Sequence, residues 1–351
     1  MPRFVALLIA AILFTTSATT AMAEIRFADM VRAIRLGGTE RMMVFALDDP
    51  GLPRAARGAR QRILYGIGIG ASAGNVTRRS LSFAPILTWD SNINGGYGRS
   101  EFVYGGLPFT IGKEFRAVGG VLIGGGVDGA LRMGLGGRTG LELRAGADAA
   151  WSPEHDLAKL SATASACGHH MLDAATWGYA CLDTAWRQID LGETTRQGTR
   201  IGLNRIFFSD IGIHELTVEL QRNRHDGGIH YDQDVASLSM TSALPGGHAL
   251  VVGSQIGARV EHVNVLRDRF WVGLGFGVSG RPASITVGLQ RNRGGTFLGE
   301  AVEKQIRSVN ASYRVREDIG LSIYGATTDS NLAFYRDNQI GISVDLRLRT
   351  R

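Results

Sequence analysis

From Ile340 to Arg349 the chain alternates without a break: Ile340, Ile342, Val344, Leu346 and Leu348 are separated by Gly341, Ser343, Asp345, Arg347 and Arg349. Successive side chains of a β-strand point to opposite faces, so this segment has one fully apolar face and one small, polar or charged face. The same period of two sets Phe270, Val272, Leu274, Phe276 and Val278 against Trp271, Gly273, Gly275, Gly277 and Ser279. It then sets Ala283, Ile285, Val287 and Leu289 against Ser284, Thr286, Gly288 and Gln290.

Comparable strands recur from Leu141 onward, at 157–167, 176–188, 199–208, 212–223, 231–243, 247–260, 304–316 and 318–327. Others fall upstream at 80–90, 100–112 and 116–127, with 63–73 and 129–136 as weaker segments. Short connections such as Ser209-Asp210, Leu244 to Gly247, Gly280-Arg281 and Arg316 to Asp318 alternate with longer polar ones at 223–233, 292–304 and 327–338. Tight turns at one end and longer loops at the other are the asymmetry of an outer-membrane barrel. The predicted fold is therefore all-β: a transmembrane, antiparallel, up-and-down barrel of about 14 to 16 strands. It follows a short, partly helical periplasmic segment.

Period two alone does not say which face points outward, and a soluble sandwich or lipocalin-like barrel is the rival. Three features favour the membrane. Glu142, Arg144, Asp148, Glu219, Arg259, Asp345 and Arg347 alternate with apolar neighbours and are candidate lumen-facing groups. The strand number exceeds that of a compact sandwich. Trp151, Tyr231, Phe270, Trp271, Tyr324 and Tyr335 fall toward strand ends, as an interfacial girdle requires. Composition agrees: 48 Gly, 8 Pro and 20% charged residues give a near-neutral hydropathy, because apolar and polar faces average out.

The start of the chain points to export. Arg3 precedes an apolar run from Phe4 to Phe14, and Ala21-Met22-Ala23 offers a cleavage site before Glu24. That run is too short for a spanning helix, which needs about twenty residues. The expected organisation is a signal peptide at 1–23, a short periplasmic segment at 24–60 and the barrel at 61–351. In the second part Met30, Val31, Ile34 and Leu36 are spaced as on a helix, and Asp48 to Pro53 breaks the pattern. Arg54, Arg57, Arg60 and Arg62 follow at helical intervals, and the segment is expected to be solvated. A formal charge of +6 is dispersed among acidic residues, which excludes a nucleic-acid patch.

Cys167 and Cys181 flank a turn centred near Ala174 and fall opposite each other on adjacent strands, so a disulfide is geometrically open to them. Free thiols, or a metal pair with His169 and His170, are the rivals, although zinc needs about four ligands. His225 to Asp232 is the densest polar cluster and is read as a solvated outer loop. A barrel hydrolase would need a Ser–His dyad at the lipid edge, and His214 with Ser237 or Ser239 is the nearest approach. No catalytic, metal or cofactor site is assigned.

Leu81 to Asn94 ends in Asp90-Ser91-Asn92-Ile93-Asn94. This resembles the opening of the C-terminal barrel of surface lipoprotein assembly modifiers, in which an N-I-N-like turn follows the first strand. The succession Arg316-Glu317-Asp318, Leu321 to Tyr324, Asp329-Ser330-Asn331 and Tyr335 to Asn338 resembles that family's closing order. The resemblance covers roughly residues 60–351 and implies a barrel of fourteen strands that helps a client protein reach the cell surface. The helical-repeat domain of that family has no counterpart in the short segment before the barrel, and the chain ends on Arg351 without a terminal aromatic residue.

Three functions follow as expectations. The first is a barrel that aids surface display of an exported client, and the second a passive porin-like channel for small solutes. The third is a structural or enzymatic barrel. The expected partners are outer-membrane lipids, the barrel assembly machinery and a client protein.

Overall fold

Every strand of the barrel wall pairs with two neighbours, because the sheet closes on itself. The computed structural model describes residues 27–346; the segment read as a signal peptide and Arg347 lie outside them. Among the described residues three helices precede the wall: α1 (Phe27–Gly37), α2 (Glu40–Ala46) and α3 (Arg54–Ile67). The wall consists of β1 (Val76–Asp90), β4 (Gly120–Gly136), β5 (Thr139–Ser152), β6 (Leu157–Met171), β7 (Thr176–Ile189), β8 (Gly192–Ser209) and β9 (Gly212–Asp226). It continues through β10 (Tyr231–Leu244), β11 (His248–Gly257), β12 (Val265–Val278), β13 (Arg281–Phe297), β14 (Glu300–Arg314), β15 (Ile319–Ser330) and β16 (Asp337–Leu346). These are 14 antiparallel strands. A separate hairpin, β2 (Glu101–Tyr104) with β3 (Leu107–Thr110), lies in the loop between β1 and β4.

Closure occurs where β1 meets β16, with Ile86 opposite Asp345 through Asp90 opposite Gly341. Ser91 extends the seam, its N–H donating to the Ile340 carbonyl at 3.0 Å while its hydroxyl accepts from Ile340 N–H at 2.9 Å. The alternation then sorts the faces. On β1, Leu81, Phe83, Leu87 and Trp89 stand out from the wall, more than two-fifths exposed, while the intervening Ser80, Ser82 and Asp90 turn inward. Leu182, Ile201 and Leu220, neighbours on β7, β8 and β9, are likewise outward and exposed. An apolar exterior over a polar interior is the arrangement of a barrel in lipid, so the wall is that of a transmembrane β-barrel.

Several elements differ from the sequence expectation. The 223–233 and 292–304 connections are mostly strand, since β9 and β10 run to Asp226 and from Tyr231, and β13 and β14 to Phe297 and from Glu300. Ladder bonds continue there after the outward apolar residues give way to charged ones, including the Arg222–Asp232 and Arg293–Glu303 pairs. The wall therefore rises past the apolar band. Leu298 and Gly299 both have positive φ (51° and 89°), as a tight two-residue hairpin turn requires. Residues 100–112 form the separate hairpin rather than wall, and 63–73 holds the end of α3 and a turn. The expected start of the barrel at residue 61 falls inside α3.

The aromatic residues also divide. Trp151 and Phe270 are on the exterior and about half exposed. Trp271 turns inward beneath Arg269, Tyr231 stacks on His225, and Tyr324 shares the inner face with its partner Asn310. Tyr335 lies in the β15–β16 loop. These four serve the interior and the outer mouth rather than a lipid girdle.

The N-terminal helices are not a solvated segment. Met30, Ala33 and Ile34 on α1 recur at helical spacing and are buried with Met42, Val44 and Ala46 of α2 and Leu64 and Ile67 of α3. Their cover is Trp177, Ile206, Ile213 and Ala243, on the inner face at the short-turn end. An apolar helix stripe must be buried against something, and here it is the barrel's own mouth. Gly68 ends α3 with φ 98°, and a Cβ there would lie 2.4 Å from the Met133 carbonyl oxygen, so both conformation and space demand glycine.

Val287 lies within the outward row of β13 and Thr286 beside it faces inward. Val287→Arg is expected to cost about 2–4 kcal/mol of folding free energy in lipid, and Thr286→Arg much less. Urea titration of the refolded variants in phospholipid vesicles measures both; equal costs would contradict the assignment of faces.

Candidate functional site

The interior polar face is organised around ion pairs that begin at the helical plug. Thr39 caps α2, its hydroxyl accepting from Met42 N–H at 3.1 Å, and the same hydroxyl donates to Glu215 on β9. Arg41 donates to one oxygen of Glu215 through Nε at 2.8 Å and Nη2 at 2.6 Å. Glu215 is only 1% exposed, so an uncompensated carboxylate there would be costly and the plug is what neutralises it. Glu40 reaches the opposite wall, accepting from Arg132 at 2.5 Å and from Arg78 at 3.0 Å. Arg132 then donates to Glu142 at 2.6 Å, and Arg144 donates to the other Glu142 oxygen.

A second group sits on β7, β8 and β9. Arg200 grips Asp183 through two bonds of 2.6 and 3.0 Å and donates to Glu219 at 3.1 Å. Tyr179 donates to that Glu219 oxygen at 2.6 Å. Cys167 and Cys181 are direct cross-strand partners with Cα atoms 4.1 Å apart and are joined by a disulfide. The free thiols and the metal pair weighed from the sequence do not describe this arrangement. Their sulfurs face the lumen, where Arg200 Nη2 lies 4.0 Å from Cys167 Sγ.

The other mouth is crossed by the loop between β1 and β4. Asn94 accepts from Leu191 N–H at 3.1 Å, at the β7–β8 turn. On the far side Tyr104 donates to the Leu298 carbonyl, at the β13–β14 turn. Phe102 packs on Phe109, Phe297 and Phe334 with ring centroids 4.9 to 6.3 Å apart. The Asp90–Asn94 motif anchors this crossing. Asp90 accepts from Asn92 N–H at 2.8 Å and from Lys159, Ile93 is fully buried, and Asn94 accepts from Gly96 and Val118 N–H while donating to the Arg116 carbonyl.

Of the candidate lumenal residues, Glu142, Arg144, Asp148, Glu219 and Asp345 are on the inner face, Asp148 accepting from Ser161 and Asp345 from Ser322. Arg259 is not: β11 ends at Gly257, and Arg259 is exposed in the loop that follows. Sequence reasoning missed Arg41, Arg132, Arg200 and Glu215. Parity could have placed the last three, since Arg200 sits between Thr199 and Ile201 and shares its face with Asn204. No sequence signal pairs Arg41 with Glu215, 174 residues away. His214 faces outward whereas Ser237 and Ser239 face inward, so the proposed dyad is split by the wall. Its ring nitrogens are instead met by Ser209 at 2.6 Å and Ser242 at 2.7 Å. The His225–Asp232 cluster is two strand ends and a short turn, with His230 Nδ1 3.0 Å from Asp226.

Taken together, the site is the polar interior of a transmembrane barrel, plugged at one mouth and crossed by a loop at the other. No family model matches the chain, and no curated protein does. Solved structures similar to it include Pseudomonas aeruginosa OccK3 (OpdO), at 12% identity and TM-score 0.41, covering 78% of this chain and 96% of that one. Pseudomonas aeruginosa OccK11 (OpdR) has 15% identity and TM-score 0.41, covering 80% and 99%. Acinetobacter baumannii OccAB4 has 8% identity and TM-score 0.41, covering 78% and 99%. These are porins of the Occ/OprD group, not surface lipoprotein assembly modifiers, and they overturn the family resemblance drawn from the sequence. The motif that suggested it is accounted for as turn chemistry, with Asx-type bonds where a strand leaves the wall.

Glu215→Ala removes the partner of Arg41 and Thr39 and is expected to destabilise plug docking by roughly 3 kcal/mol, the low end for a broken buried pair because Arg41 is partly exposed. Hydrogen exchange over 27–46 should rise while the β6–β9 wall keeps its protection. Unchanged exchange would show that apolar packing alone holds the plug.

Proposed function

We propose that the protein is a porin-like channel for small solutes, held at its periplasmic mouth by its own helices. The observation that carries this reading is a series of polar cavities along the lumen that share lining residues. One of about 600 Å³ lies against the plug, between Arg41 and Arg200. It shares Arg144 and Ser165 with a second of about 680 Å³. That one shares Asp183 and Arg196 with a third of about 580 Å³ toward the loop end. A barrel of this strand number is intermediate between those filled by side chains and those that leave an aqueous channel. Here charged side chains and water-sized spaces divide the interior. The plug makes the channel's opening depend on release of a few contacts, chiefly Glu215 with Arg41 and Glu40 with Arg132. The protein has no chemical step to perform in this role; the lumen selects by size, charge and hydrogen bonding.

Liposome swelling tests the reading. Wild-type proteoliposomes should admit small sugars at a rate that falls with solute size. The Glu215→Ala variant should admit them several-fold faster, because the plug no longer holds the mouth. A barrel shown to be folded but impermeable in both forms would refute the channel.

A further inference from the structure

Positive charge in this chain is concentrated at the plug. From Phe27 to Arg79 nine arginines stand against four carboxylates, whereas from Ser80 to Leu346 24 cationic side chains stand against 27 acidic ones. The plug's carboxylates are mostly spent within the fold: Asp29 pairs with Arg32, Asp48 with Arg60, and Glu40 with Arg78 and Arg132. Arg35, Arg54, Arg57 and Arg62 are exposed and, among the described residues, have no ion-pair partner. Arg54 and Arg57 stand in the first turn of α3, which holds no acidic residue. The helix dipole is positive there, so both arginines cost the helix stability rather than adding to it.

Two of these arginines also border a cleft. It opens between α1 and α3 at the short-turn mouth, with a volume of about 610 Å³. Ile34, Met43 and Ile63 form its apolar floor, and Arg35, Arg62 and Arg78 line it as well. Glu40 is the one carboxylate in the lining, and both its oxygens are taken, by Arg78 at 3.0 Å and Arg132 at 2.5 Å. An apolar floor with uncompensated guanidinium groups beside it is complementary to a chain that carries carboxylates next to an aliphatic side chain.

Position and charge narrow the occupant. α1 rests on β10, β11 and β12, and α3 on β1, β4 and β5, so the cleft lies across the mouth rather than on the lipid-facing rim of the wall. An anionic bilayer surface would need the arginines at that rim. The chain's own last residues include Arg347, Arg349 and Arg351, and a second plug is equally basic, so both carry the wrong sign. A polar glycan would leave the apolar floor unused.

We propose that this face of the plug docks an acidic segment of a periplasmic polypeptide. The carboxylates of that segment pair with Arg35 and Arg62, and an aliphatic side chain covers Ile34, Met43 and Ile63. Arg54 and Arg57 extend the cationic surface along α3 and steer the encounter. The proposal goes beyond the channel reading and takes from it only the compartment that the plug faces.

The test is fluorescence anisotropy of a labelled peptide of repeated Glu-Leu-Glu-Glu units with the detergent-solubilised full chain. It should bind at least about tenfold more tightly than its Gln-for-Glu counterpart, and the preference should shrink as salt is raised. Arg35→Gln and Arg62→Gln should each weaken binding by about three- to fivefold, and an Ala-for-Leu peptide should bind more weakly with the same salt dependence. Arg79→Gln, outside the cleft, should leave binding unchanged. Retained heat-modifiable mobility on gels certifies that each variant is folded. Equal affinity for the Glu and Gln peptides, or unaltered binding in both folded cleft variants, overturns the docking site. Displacement of the labelled peptide by soluble cell-wall muropeptides or by phosphatidylglycerol vesicles, at lower concentration than unlabelled peptide requires, overturns the polypeptide as occupant. The two readings fail separately: peptide binding by a barrel that admits no solute removes the channel and keeps the docking site, and permeation without peptide binding does the reverse.

Discussion

The structure depends on the pairing of β1 with β16. In hydrocarbon an unpaired backbone amide has no water to turn to, so a spanning sheet must have no edges. The seam is short, running from Ile86 to Asp90 against Gly341 to Asp345, with Ser91 adding two further bonds to Ile340. It joins strands some 250 residues apart in sequence, as the 249-residue separation between Ile340 and Ser91 records. Once it forms, the aliphatic residues of the outward rows are committed to lipid and the charged residues between them to the inside, except where the wall rises past the apolar band or meets the helices.

That commitment creates the lumen's central problem, which is how to hold many charges in an enclosed space. The chain answers with networks rather than single pairs. Arg132 joins Glu40 to Glu142, Arg200 joins Asp183 to Glu219, and Arg41 answers the most deeply buried carboxylate, Glu215. Two of these networks need the plug. The helices therefore do two things at once: they bury the apolar stripe of α1 and α2 against Trp177, Ile206 and Ile213, and they complete the electrostatics of the wall. Toward the loop end Arg196 and Arg269 line the lumen with no ion-pair partner among the described residues.

The two ends differ for a related reason. At the short-turn end the interior becomes apolar and accepts helices. At the other, charged residues take over the outer face, the strands outlast the lipid, and the 91–119 loop is tied across the mouth by Asn94 and Tyr104. The high polarity of 223–233 and 292–304 suggests loops. Backbone pairing does not depend on an apolar side chain, and once two strands are in register the ladder continues until a turn such as Leu298-Gly299 reverses it.

By itself, the alternation of residues determined a great deal. Period two in segments such as 270–278 and 340–346 dictated strands, and the number of such segments, with tight turns at one end, dictated a membrane barrel. Parity also placed Glu142, Glu219 and the two cysteines on the lumenal face, because a strand's side-chain direction is a local property. Tertiary structure decided what is not local. It turned Trp271, Tyr231 and Tyr324 inward, put Arg259 beyond the end of its strand, and drew α1 to α3 into the barrel. It also brought Arg41 to Glu215 and, among the described residues, gave Arg196 and Arg269 no ion-pair partner. The physical reason is that alternation records which face a residue occupies, whereas charge partners, plug docking and the filling of the lumen depend on which strands end up facing one another across a closed ring.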